Sequence, residues 1–448
     1  MSRPGDLGRM KQTLLGILGF LALASTMEAG NIIQLRVEPE HKVIVAGSSH
    51  EAIVRIDLTA SDDQRKRRRT PFNLAVVIDR SGSMQGAKIE KARQAASELI
   101  DHLSSDDIVS VVAYSAGAQV VAGAGPARDK ERLKHLIERI TTSGGTALFA
   151  GVELGADEVQ KNFSSQRINR VILLSDGLAN IGPSSPQDLR RLGNRLAEAG
   201  ISVTTIGLGD DFNEQLMSGL AEASDANYYY VKDTEKLPEI FARELGSLAQ
   251  VVARRIKIEI TCPPSVEPIG FVGRPEIFRD RKAVVQLDSL GAGQSRYLLL
   301  RCRLDGSDRN REVAAVKASY VDETGDAPFE RSCAAAASVT FSADALAARS
   351  SVNREITVQH ELMLNAIRKE EAIAAADAGK YSGAAATLNA QADRLEFQCS
   401  AAPANQRGTL AAEVINLRRQ SDDLLAHRYG LGNRKELQQQ SWSTRNAK

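Results

Sequence analysis

Phe72-Asn73-Leu74-Ala75-Val76-Val77-Ile78-Asp79-Arg80-Ser81-Gly82-Ser83 changes character at a single residue. Up to Ile78 the run is nearly all apolar, as expected of a short strand buried on both faces. From Asp79 onward it is polar, so a carboxylate and two hydroxyls arrive where the strand ends. Val171 to Leu174 repeats the pattern and ends in Ser175-Asp176-Gly177, which brings a second carboxylate to the end of a second buried strand. Ser143-Gly144-Gly145-Thr146 opens a helical stretch; its glycines permit close backbone approach while Thr146 points its hydroxyl inward. Ligands of open α/β sheets gather at the carboxyl ends of strands, and all three segments arrive there.

The surrounding chain alternates strands with helices. Lys88 to Leu103 carries Ile89, Ala92, Ala96, Leu99 and Leu103 at helical spacing, and Ile108 to Tyr114 is another apolar strand followed by a hairpin-like Ala118 to Ala122. Arg132 to Ile140, Ala147 to Val159 and Leu189 to Ala199 read as helices, the last ended by Gly200. Ile201 to Leu208 and Tyr228 to Val231 add strands, and Thr234 begins a final helix that buries Leu237, Ile240, Phe241, Leu245 and Leu248. The fold class is α/β: a doubly wound, mostly parallel, Rossmann-like sheet covered on both faces.

Asp79, Ser81, Ser83, Thr146 and Asp176 offer carboxylate and hydroxyl oxygens with no thiolate or imidazole. Such a set suits a hard cation, Mg²⁺ or Mn²⁺, and suits zinc poorly. Neutral hydroxyls do not cancel the ion's charge. With the aspartates acting mostly through bound water, the ion stays electrophilic and its sixth position attracts a carboxylate from outside.

Asp79-x-Ser81-x-Ser83, then Thr146, then Asp176, resembles the metal-ion-dependent adhesion site of von Willebrand factor A domains, over roughly residues 70 to 250. All five positions of that pattern are present. The resemblance implies that Ser81 and Ser83 bind metal directly, that Thr146 does so in a high-affinity state, and that Asp79 and Asp176 hold coordinating waters. It also implies a partner protein presenting an Asp or Glu, and a final helix whose movement is coupled to metal coordination. Here that helix, Thr234 to Gln250, runs straight into a strand at Val251, so a shift would pass onward.

Other chemistries fail on inspection. Gly82 to Lys88 has the wrong glycine spacing for a phosphate loop, and no Ser or Thr follows the lysine. His360-Glu361 begins like a zinc-protease helix, but Leu364 stands where the second histidine belongs. The 6 histidines are scattered, and a metal-dependent hydrolase would lack both a recognisable base and a second metal cluster. A net charge of +1 and an aromatic content of 4% give no basis for binding nucleic acid. The expectation is a non-enzymatic, adhesion-type binding protein. The alternative is a scaffold or assembly factor working with a larger, ATPase-linked complex in the cell envelope.

With 448 residues, the chain holds more than one core. Residues 1–29 carry Arg9 and Lys11, an apolar run from Leu14 to Ala24, then small residues, the order of a secretory signal with cleavage after Ala24 or Ala29. An uncleaved anchor in the inner membrane is the other reading, so the expected location is periplasmic or secreted, with membrane proximity through this segment. Period-two strands occupy residues 30–69 and 251–345, and the first group is too small to fold by itself. The α/β domain, residues 70–250, is therefore expected as an insertion in an antiparallel β-sandwich. This plan resembles exported bacterial proteins related to the inter-alpha-trypsin inhibitor heavy chains. The basic run Arg65 to Arg69 reads as a solvated linker or a contact for anionic partners.

Cys262, Cys302, Cys333 and Cys399 fit three disulfide pairings or buried free thiols. Residues 346–430 read as three amphipathic helices, marked by Met363 and Ile367, by Leu388, Ala392 and Leu395, and by Leu410, Val414, Leu417 and Leu424. They pack on the sandwich or dock a partner. Residues 431–448 read as a polar, flexible tail.

Overall fold

Hydrophobic patterning sets three sheets in the computed structural model, which describes residues 31–446 apart from 48, 63–68, 306–309 and 326–327. The expected secretory segment and the basic run up to Arg68 lie outside the described residues. Arg69 is described, and it is no free linker residue: it bonds the buried Asp107 at 2.6 Å and lies over the Phe72 ring. Among the described residues no helix is long and apolar enough to cross a membrane.

The described residues open with β1 (Ile33–Pro39), β2 (Val43–Val45) and β3 (His50–Ala60). The α/β unit follows as β4 (Phe72–Asp79), α1 (Ala87–His102), β5 (Ile108–Tyr114), β6 (Ala118–Pro126), α2 (Lys130–Glu138), α3 (Leu148–Lys161), β7 (Ile168–Ser175), α4 (Pro186–Glu198), β8 (Ser202–Leu208), α5 (Glu214–Ala223), β9 (Tyr228–Val231) and α6 (Leu237–Ala249). Next come β10 (Val251–Thr261), β11 (Val266–Phe271), β12 (Lys282–Gly291), β13 (Ser295–Leu304), β14 (Arg311–Asp322) and β15 (Phe329–Ser342). The helices α7 (Ala345–Ser350), α8 (Arg354–Asp377), α9 (Tyr381–Cys399), α10 (Ala404–Leu425) and α11 (Leu431–Arg445) complete the described chain.

The central sheet runs β6-β5-β4-β7-β8-β9, parallel except for β6. β4 is buried on both faces because its side chains alternate between two cores. Phe72, Leu74, Val76 and Ile78 face the layer that holds Ile89, Leu99 and Phe241, while Ala75 and Val77 face the layer that holds Leu148 and Val152. A Cβ on Gly155 of α3 would stand 2.5 Å from Val77, so only glycine lets this helix lie so close to the sheet. Strand order reverses around β4, which places a crevice at its carboxyl end. Helix α5 was not anticipated; it is short, capped by Asn213, and buries Leu216, Met217 and Leu220.

β3 pairs with β13 across 10 residue pairs, so the opening strands close a sheet with strands more than 200 residues later. That sheet, β1-β3-β13-β11, faces β12-β10-β14-β15-β2 over one apolar core. The α/β unit is thus inserted in a β-sandwich, antiparallel as expected except at one edge, where the short β2 runs parallel to β15. All four cysteines are free thiols. Burial pushes Cys262 up to about 11 and Cys302 up to about 12.

The expectation of a flexible tail is corrected. Residues 431–445 form α11, which docks on the α/β unit through polar side chains. Lys435, buried, donates to the Phe212 carbonyl at 2.6 Å and to Glu214 Oε2 at 2.8 Å; Gln439 accepts from the Tyr230 amide; Trp442 meets the Tyr228 ring edge-on. Polarity concealed the contact because hydrogen bonds, with one indole, make it.

Buried charge fastens the α/β unit to the sandwich. Glu244 of α6 is fully buried and accepts from Thr204, from Asn227 at 2.7 Å and from Tyr229 at 2.9 Å, with Arg170 beside it. Arg170 reaches on to Asp288 of β12 at 2.8 Å. Glu244→Ala removes the acceptor of three donors and one of the two carboxylates that meet Arg170, and should lower unfolding stability by about 3–5 kcal/mol in urea titrations. Glu239→Ala, on the exposed side of the same helix, should change it little. Trp442 is the chain's one tryptophan, so its fluorescence should be blue-shifted and resist iodide quenching in the native protein.

Candidate metal site

The loops that leave the carboxyl ends of β4 and β7, the loop between α2 and α3, and the last residue of β5 are stitched together by backbone hydrogen bonds. The Arg80 amide donates to Tyr114 O at 2.8 Å, the Gly82 amide to Gly144 O at 3.1 Å, the Ser143 amide to Arg80 O at 2.7 Å, and the Asn180 amide to Thr146 O at 3.1 Å. Gly144 has φ +75°, and a Cβ on Gly145 would stand 2.8 Å from Ile181 and 2.9 Å from Asn180. Gly144 is therefore required by its turn, while Gly145 lets the Ile181 and Asn180 side chains pack closely against it.

The five anticipated residues come together. Asp79 is wholly buried, with both oxygens engaged: Oδ1 accepts the Ser81 amide at 2.8 Å, and Oδ2 accepts Ser175 Oγ at 2.9 Å and Tyr114 Oη at 3.2 Å. Burial pushes its carboxyl above the ordinary aspartate range, against the hydrogen bonds from Ser81 and Ser175. Tyr114 is raised well above its usual value by burial, and next by the neighbouring Asp79 charge, so it remains a donor. Asp176, also wholly buried, accepts Ser83 Oγ at 2.8 Å, and Ser81 Oγ lies 3.1 Å from Ser83 Oγ.

The hydroxyls share one space. A Cβ built on Gly177 would stand 3.1 Å from Ser83 Oγ, 3.2 Å from Thr146 Oγ1 and 3.7 Å from Ser81 Oγ. Only glycine leaves that space to the oxygens. Ser81 and Thr146 are buried while Ser83 is exposed, so the group is open to solvent on one side. Three hydroxyls and a carboxylate around one point, with no nitrogen or sulfur donor, fit a hard divalent cation. Among the described residues no group of three or more His, Cys, Asp or Glu side chains offers a rival metal site.

Several neighbours had escaped sequence reasoning. Lys88 Nζ sits 2.6 Å from Asp176 Oδ2 and 3.7 Å from Asp211 Oδ2. Its signal was its place in the first turn of the helix that follows Ser83, where only a failed phosphate loop had been considered. Tyr114 lies directly across the ladder from Asp79, and Ser175 precedes Asp176. Asn180 accepts the Thr146 amide at 2.8 Å and so fixes the threonine's backbone. Leu178 and Ile181 are exposed apolar residues on the loop after Asp176.

Comparison with known proteins agrees with this architecture. The model of the von Willebrand factor type A domain matches residues 73–243. The protein sll0103 of Synechocystis sp. is 30% identical over 263 residues, which cover 56% of this chain and 61% of that protein. The inter-alpha-trypsin inhibitor heavy chain H3 of Rattus norvegicus is 27% identical over 159 residues, 34% of this chain and 18% of that one. The chain thus spans less than two thirds of these curated relatives. Among solved structures, a von Willebrand factor type A protein from Catenulispora acidiphila covers 91% of this chain and 96% of its own, with a TM-score of 0.70 at 19% identity, a likeness of fold. The inserted α/β unit of this chain is a von Willebrand factor type A domain.

Proposed function

We propose that this chain is an exported, non-enzymatic binding protein that takes an Asp or Glu side chain of a partner protein through a divalent cation, Mg²⁺ or Mn²⁺. The observation that carries this reading is the convergence of Ser81, Ser83 and Thr146 hydroxyls on the space beside Gly177, next to the Asp176 carboxylate. Those four residues would hold the ion, and Asp79 would keep the loop in shape. Bound there, the ion supplies a Lewis-acidic vertex for an incoming carboxylate.

The chain's own residues set what can reach that vertex. Ser83 stands on the solvent side, and the exposed Leu178 and Ile181 offer apolar contact beside it. Arg80 donates to Ser143 Oγ at 2.9 Å, which ties the loop after β4 to the loop that carries Thr146. An acidic residue flanked by an apolar side chain matches this rim. Export rests on the sequence of residues 1–29 alone. A purified protein that retains residues 1–29 when isolated from the cytosol would contradict it.

Manganese binding tests the site directly. The wild-type protein should bind one Mn²⁺ by electron paramagnetic resonance, displaced by Mg²⁺. Asp79→Ala should lose binding because the loop loses its anchor. Gly177→Ala should also lose it, with an unchanged circular dichroism spectrum, because the added methyl occupies the space among the hydroxyls. Wild-type protein with no Mn²⁺ signal would end the reading. Proteins recovered in a Mg²⁺ pull-down, and lost both with chelator and with Gly177→Ala, would be the carboxylate-bearing partners.

A further inference from the structure

Lys88 places a positive charge against a carboxylate of the candidate metal site. Its ammonium bonds Asp176 Oδ2, while Asp176 Oδ1 accepts Ser83 Oγ, so hydroxyls and ammonium hold opposite oxygens of one buried group. The ammonium is enclosed rather than loosely placed. Its side chain is only a quarter exposed, Asp211 stands 3.7 Å away, and Gly209, at φ +66°, brings its loop to within 3.6 Å of the lysine stem, measured from a built Cβ. Among the described residues Asp79 has no such counter-ion; its oxygens are met by an amide, a serine and a tyrosine.

Formal charges give the consequence. Within the buried group, Asp79 and Asp176 contribute two negative charges and Lys88 one positive, leaving it singly negative; Asp211, whose side chain is 70% exposed, is screened by solvent and adds little. A divalent ion makes it singly positive, and a guest carboxylate then neutralises it. Without the lysine the doubly negative group would be neutralised by the ion alone, leaving an incoming acid nothing to balance. A like charge close to the ion weakens its binding, and the effect is strong where water is excluded.

We infer that Lys88 sets the charge of the metal site, so that it holds a divalent cation weakly alone and firmly together with an acidic ligand. This rests on the metal-site reading above. Lys88 acts through Asp176 and is a positioning residue; it also supplies the charge that Asp176 lacks when no cation is bound. A purely structural salt bridge would stabilise the fold and leave cation affinity unchanged or improved.

Mn²⁺ titration of the full chain, read by electron paramagnetic resonance, separates the cases, with melting temperature measured in chelator and in Mg²⁺. Lys88→Met should bind Mn²⁺ about tenfold more tightly than wild type, while melting lower in chelator and regaining more of its stability from Mg²⁺. Lys88→Gln retains a donor to Asp176 without the charge, and it should show the same tightening; it also serves if the methionine variant does not fold. Lys88→Arg keeps the charge and should bind Mn²⁺ as wild type does. Equal or weaker binding in both neutral variants, with normal binding by wild type, would overturn the role of Lys88 and leave the metal site standing. No binding by wild type would overturn the metal site itself.

Discussion

A charged carboxylate is wholly buried at the end of β4, and the upper surface of the α/β domain is arranged to satisfy it. Asp79 receives donors from the ends of three neighbouring strands: the Ser81 amide just past β4, Tyr114 at the end of β5 and Ser175 at the end of β7. Burying such a group without partners would cost several kcal/mol, so these contacts fix how the chain leaves the sheet. The turn that presents the Ser81 amide to Asp79 also turns the Ser81 and Ser83 hydroxyls toward Asp176 and Thr146. The geometry of the site is therefore a by-product of satisfying one buried anion.

Much of this was legible because it is written locally. Phe72 to Ile78 and Val171 to Leu174 are uninterrupted apolar runs, and the polar residues follow them in sequence, so strand and site could be read together. The sandwich strands were legible through period-two alternation, and the early ones had to pair with late ones because they are too few to form a core. What escaped was written between distant segments. Lys88 meets Asp176 across 88 positions, and nothing in either neighbourhood names the other. The five site residues were found by their order along the chain; the ammonium beside them belongs to no such pattern.

The C-terminal helix shows a second limit of the same kind. Leu431 to Arg445 is polar on average, and average polarity reads as a solvated tail. Yet Lys435, Gln439 and Trp442 recur at helical spacing along one face, and each has a partner on the α/β domain. The partners decide the matter. An ammonium with a backbone carbonyl and a carboxylate to receive it can be buried, whereas hydropathy alone counts it as exposed. The start of the same helix also approaches the loop that bears Asp211, since a Cβ on Gly432 would stand 3.5 Å from Asp210. The C-terminal helix thus begins beside the loop that shares the Lys88 ammonium with Asp176.

The resemblance to A domains also implied that α6 carries movement from the metal site into the sandwich, and the structure sets the energy this would need. Only Gln250 separates α6 from β10, so the covalent path is short. But Glu244 anchors α6 to Thr204, Asn227, Tyr229 and Arg170 beneath the sheet's edge, and Arg170 is bound in turn to Asp288 of the sandwich. Sliding α6 along its axis would draw a buried carboxylate away from these donors, at a cost of about 3–5 kcal/mol if all were lost. A ligand shifts such an equilibrium only by the difference between its affinities for the two positions. A cation bound alone, in a site already carrying the Lys88 charge, is poorly placed to supply that difference. A cation together with a partner's carboxylate supplies more, so any movement of α6 should follow the partner rather than the metal.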